Sequence, residues 1–113
     1  GDGRPAEAKE WLARALSVNP FAAEAQLGFA RASMLLAESR RGERRDAELD
    51  HAARAYRAAA ALAERDPAPH VGLARALAAR GRKEEARAAI ETLRQFDPGS
   101  AAELERELAK DLD

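Results

Sequence analysis

Few side chains in this sequence combine a type and a spacing that could do chemistry. The two histidines, His51 and His70, stand apart: there is no His-Glu-x-x-His and no second His three or four residues on, the spacing that places two imidazoles on one helix face for a zinc ion. His51 reads as a half-exposed helix residue, because an imidazole acts as a base only with a placed partner. Ser17, Ser33, Ser39 and Ser100 lie in no Gly-x-Ser-x-Gly elbow, and no glycine-rich loop leads to Lys and Ser or Thr. Gly1-Asp2-Gly3 is a terminal tripeptide and not a dinucleotide fingerprint. Glu84 and Glu85 are adjacent carboxylates, but in a first helical turn they complement the helix dipole. No catalytic residue, metal ligand or cofactor site is assigned, and the chain is read as not an enzyme.

The local concentration of charge is Arg40-Arg41-Gly42-Glu43-Arg44-Arg45. Glu38, Glu43, Asp46 and Glu48 interleave with it and no aromatic lies beside it for a base to stack on, so it reads as a solvated tip, and nucleic acid is not expected. Whole-molecule electrostatics agree, with 19 Lys and Arg against 20 Asp and Glu and a net charge of -1. Charged residues make up 35% of the 113 residues, and no run of about twenty apolar residues exists, so no membrane span is expected. The absence of Cys excludes thiolate metal sites, disulfides and thiol catalysis. The chain opens at Gly1 with no Met and no basic-then-apolar signal, and reads as a piece of something longer. No compartment is assigned, with the cytoplasm favoured; the Ala and Arg bias suggests a bacterial source.

The elements that would position any of these residues are helices. Ala, Leu, Glu and Arg dominate and β-branched residues are scarce. Asn19-Pro20, Asp66-Pro67 and Asp97-Pro98 punctuate the chain, and an Asn or Asp before Pro can cap a helix that begins at the Pro. Around these stops one spacing recurs three times: Ala8, Leu12 and Pro20, then Ala55, Ala59 and Pro67, then Ala86, Ile90 and Pro98. A small residue on a helix lets an antiparallel neighbour approach, and an aliphatic one turn away fills the space beside it. Upstream, Leu73, Ala74 and Leu77 precede Gly81, and Leu27-Gly28 is the equivalent pair in the middle copy.

With these residues in place the sequence resembles the tetratricopeptide repeat family, whose unit of about 34 residues reads Trp-x2-Leu-Gly-x2-Tyr, Ala-x3-Phe, Pro. His70, Leu73, Ala74, Leu77, Gly81, Ala86, Ile90 and Pro98 occupy that pattern in the last copy, with His70 at the Trp position and so expected to pack. The middle copy keeps Leu27, Gly28, Ala55 and Pro67, with Glu24 and Arg31 where large aromatics are usual; the first supplies only a second helix through Gly3, Ala8, Leu12 and Pro20. The resemblance implies an all-α fold of antiparallel helix pairs stacked as a short right-handed superhelix. The expected divisions of this single domain are 1–20 for the second helix of a truncated first repeat, 21–66 for a second repeat, 67–98 for a third, and 99–113 for a capping helix.

The middle copy carries an insertion. Leu27 to Ala55 spans 28 residues against 13 from Leu73 to Ala86, so 15 are extra. Helices over 21–39 and 46–65 are expected, each longer by about two turns, projecting the hairpin about 10 Å past its neighbours. Leu49, Ala52, Ala53, Tyr56, Ala59, Ala60 and Ala63 form the apolar stripe that would pack it. In the tail, Ser100 and Glu103 are spaced as a capping box, with Leu104, Leu108 and Leu112 on one face. Trp11, the one Trp, is expected in the core against the following helix; left open, it would mark a docking face.

The resemblance further implies a scaffold that binds another protein or peptide along a concave surface lined by the first helix of each repeat. The residues facing it would be Ala25, Phe29, Ala32 and Ser33 in the middle copy and Val71, Arg75, Ala78 and Ala79 in the last. These are mostly small and apolar, which suits an amphipathic or hydrophobic segment. They do not match the Lys and Asn clamp by which chaperone-binding members hold a terminal carboxylate. The alternatives are a homo-oligomer formed through the open end near Trp11, and an accessory domain of a larger enzyme.

Overall fold

The computed structural model describes residues 3–113, so Gly1 and Asp2 of the terminal tripeptide lie outside the described residues. Six helices follow in order: α1 (Gly3–Val18), α2 (Ala23–Glu38), α3 (Gly42–Leu62), α4 (Pro67–Ala79), α5 (Lys83–Arg94) and α6 (Pro98–Leu112), with no strand among the described residues. Each helix packs on the next, and α2 also touches α4 as α4 touches α6. Among α1, α3 and α5 there is no such backbone approach. The even-numbered helices therefore form an inner layer and the odd-numbered ones fan out behind it, which curves the stack.

The recurring small residues explain the close packing. Ala55, Ala59, Ala86 and Ile90 are buried, and Ala55, Ala86 and Ile90 belong with Leu73, Leu77, Leu93, Leu104 and Leu108 to one continuous core. Ala8, at the same place in the first copy, is exposed, because α1 has a neighbour on one side only. Trp11 is 70% exposed and is not in the core as expected; α1 meets α2 instead through Leu12 and Leu16, and Leu12 fits against the bare backbone of Gly28.

Local chemistry sets the helix ends. Asp66 accepts from the Ala68 N–H at 3.1 Å with Pro67 in the first turn, as expected. Asn19-Pro20 behaves differently. Asn19 Oδ1 takes the Phe21 N–H at 3.1 Å and the Gln26 amide donates to the Pro20 carbonyl, so the chain turns there and α2 begins only at Ala23, two residues later than expected. The box at Ser100 is also displaced: Asp97 is the cap, accepting from the Ser100 N–H at 3.1 Å and the Ser100 hydroxyl at 2.7 Å, and α6 starts at Pro98. Between α4 and α5, Gly81 takes φ 85°, and the Arg82 and Gly81 N–H groups return to Leu77 and Ala78 carbonyls, the hydrogen-bond pair that closes a helix on a left-handed residue.

The insertion is helical but unevenly divided. α2 has 16 residues against 13 in α4, whereas α3 has 21 against 12 in α5, so most of the extra length, about 13 Å at 1.5 Å per residue, belongs to α3. α3 starts at Gly42, four residues before the expected Asp46, which puts Arg44 and Arg45 in its first turn and leaves only 39–41 as the connection. Leu49, Ala52, Ala53, Tyr56, Ala59 and Ala60 are buried as the stripe requires, while Ala63 lies past the helix end and is half-buried.

Candidate functional site

The inner layer opens on a cavity of about 360 Å³ walled by Arg31 of α2, Tyr56 of α3, Val71, Gly72 and Arg75 of α4, and Ser100 of α6. Its floor depends on Gly72. A Cβ built there would lie 2.3 Å from Cε1 and 2.4 Å from Cζ of Tyr56, so only glycine lets the phenol ring rest on the α4 backbone. Tyr56 is 6% exposed, and burial pushes its pKa above 10.0, with Arg31 and Arg75 pulling the other way. Arg75 bridges to α6 by a two-pronged bond with Glu107, at 2.7 and 2.6 Å. That bond raises the guanidinium pKa and holds the carboxyl below its ordinary 4.5.

Of the eight residues expected on the concave surface, Val71 and Arg75 line this cavity. Ala32, Ser33 and Ala78 are buried between helices and present no surface, because α2 and α4 are each enclosed by three or more neighbours and small side chains are what make that enclosure fit. Ala25 and Ala79 are half-buried. Phe29 turns to the outer side: its ring centroid lies 5.1 Å from Lys9 Nζ of α1 and 6.5 Å from the His51 ring of α3. Arg31, Tyr56, Gly72 and Ser100 were not anticipated. A glycine inside a helix costs about 1 kcal/mol relative to Ala, and Gly72 at that price was the available sign of a close approach.

Several other charges pair across helices. Arg80 bonds Asp50 at 3.1 Å, and Arg82 and Arg57 both reach Glu85, tying α3 to the start of α5. Lys9 meets Glu48 at 2.5 Å and His51 Nδ1 at 2.7 Å, joining α1 to α3. His70 is buried against Phe96, ring centroids 5.1 Å apart, with Nε2 2.8 Å from the Glu64 carbonyl, a packing residue as expected. Among the described residues no group of three His, Cys, Asp or Glu could hold a metal ion, and no helix is long and apolar enough to cross a membrane.

A stack of antiparallel helix pairs with a lined inner face is the architecture of a helical repeat protein. A family model described as tetratricopeptide repeat matches residues 43–110, more than half of the chain, and the chain belongs to that family. No curated protein and no solved structure matches it significantly. Tetratricopeptide repeats generally mediate protein–protein interaction and are typically non-catalytic scaffolds.

Proposed function

We propose that this chain is an interaction module that holds a segment of another protein against the inner face of α2, α4 and α6. The observation that carries the reading is the open cavity between these helices, where Val71 offers an apolar contact and Arg31 an exposed cation with no ion-pair partner among the described residues. Such a mixed surface suits an amphipathic segment. The experiment is selection of displayed random dodecapeptides on the whole chain, followed by affinity measurement on Val71→Asp and on Trp11→Ser, whose change lies on the far helix. Saturable binders that Val71→Asp weakens and Trp11→Ser leaves intact support the reading. Binders indifferent to Val71→Asp, or no binders at all, overturn it.

A second reading, self-association, is supported by the exposure of Trp11 (70%), Val18 (86%) and Phe21 (76%) along α1 and the turn after it. Sedimentation velocity tests it. A mass that rises with concentration in the native chain but not in Trp11→Ser would favour this reading, and a concentration-independent monomer would remove it.

A further inference from the structure

We infer that the uncovered face of α1 receives α1 of a second copy of this chain, the two helices lying antiparallel about a two-fold axis at the level of Ala13. The inference rests on the self-association reading above and gives it a register. Ala8, Trp11, Ala15 and Val18 are spaced three, four and three, which sets them in one line along the helix. All four are exposed, whereas α1 meets α2 through Leu12 and Leu16.

The same line exists in α5, and there it is closed. Ala86, Ala89, Leu93 and Phe96 hold the matching places; the first three are buried and Phe96 packs against the core, with α4 and α6 on either side. The line is therefore a seat for a helix, and α1 differs in what it can seat. Ala89 is small, so a neighbour can come close over it. Trp11 at that place holds a neighbour off unless the neighbour has a small residue to receive the indole. A second α1 supplies one. In the antiparallel pair Trp11 meets the partner's Ala15 and Val18 meets the partner's Ala8, both pairings being centred on residue 13. Each large side chain faces a small one, and the two-fold axis repeats the fit. A parallel pair would set Trp11 on Trp11 and Ala15 on Ala15, a clash beside a gap. Arg14 lies over its own Trp11 ring, 5.5 Å from the centroid, and one residue from the axis, so like charges from the two copies meet at the rim. Apolar burial must carry the pairing, which tightens as salt screens that repulsion.

The test uses the whole chain, which has no Cys of its own. Single variants Ala8→Cys and Val18→Cys are oxidised separately and as an equal mixture. The mixture should give a covalent dimer and neither variant alone should. Like positions are about 15 Å apart along such a pair, and a disulfide needs Cα atoms within about 7 Å. Ala15→Leu, a change on the exposed face of α1, should weaken dimerisation roughly tenfold in sedimentation velocity, with circular dichroism confirming the fold. Iodide quenching of Trp11, the one Trp, should fall as the native chain is concentrated from monomer to dimer. A dimer that cross-links within either single variant, fails to cross-link in the mixture, tolerates Ala15→Leu or leaves Trp11 open to iodide overturns this register and leaves self-association standing. A concentration-independent monomer overturns both.

Discussion

Helix α5 and helix α1 carry the same spacing, a small residue, an aliphatic four positions on and a proline eight beyond that, yet one is enclosed and the other is not. Ala86 of α5 is fully buried between α4 and α6, and Ala8 of α1 faces water. A notch on a helix is half of a contact. Its energetic value is set by whether a second helix occupies it, so identical residues are structural keystones in one repeat and near-silent surface in another.

The sharpest way to break this comparison is to fill both notches. Ala86→Leu should overpack the α4–α5 contact and cost roughly 1–3 kcal/mol, while Ala8→Leu should change stability by less than about 0.5 kcal/mol; urea unfolding of both variants measures the difference, and equal effects would refute the account. The two mid-helix glycines form a second pair. Gly72→Ala drives a Cβ into the clamped Tyr56 ring and should destabilise by about 1–2 kcal/mol net of its helix-propensity gain. Gly28→Ala meets only the Leu12 methyl groups, at 3.2 and 3.3 Å, at the half-buried α1 contact, and should be neutral or stabilising by up to about 1 kcal/mol. Thermal melts should therefore fall for Gly72→Ala and hold or rise for Gly28→Ala.

The enclosed region also has a pH signature. Because burial raises the Tyr56 pKa, its contribution to stability is present in full below pH 10.0 and is lost as pH climbs through the higher folded value. Absorbance titration of this single tyrosine should show a midpoint above 10.0 in the native chain and an ordinary one in urea. A native midpoint at or below 10.0 would mean that Arg31 and Arg75 outweigh burial. The smallest effect is expected at α1 of the monomer: Trp11→Ser should leave stability within about 0.5 kcal/mol, and Trp11 fluorescence should be quenched by iodide as readily as that of a free indole.

The stacked-pair architecture was legible because it depends on short-range spacing. Asp66-Pro67, the buried Ala86 and Ile90, and the leucine face of α6 all follow from residues within a few turns of one another. The inner face was legible only in part. Val71 and Arg75 are placed by the register of α4 alone, whereas Tyr56 reaches the cavity from α3, a helix of the outer layer, through an opening that exists only because a glycine faces it. Phe29 misled for the converse reason: its place along α2 is regular, but Lys9 and His51 offer its ring a better neighbourhood on the other side. Trp11 misled because hydrophobicity says what a side chain prefers and not whether a neighbour is there to satisfy it.

The unequal joining of the two layers has a mechanical consequence. Even-numbered helices abut one another backbone to backbone, whereas α1, α3 and α5 are linked laterally by charged side chains, Lys9 to Glu48 and Arg57 to Glu85. Close packing resists deformation, whereas ion pairs yield to it, and the half-exposed Arg57–Glu85 pair weakens as electrolyte is added. The slab is thus stiff along its hollow side and compliant along its back, like a bimetal strip, and ionic strength is the variable that would open or tighten its bow.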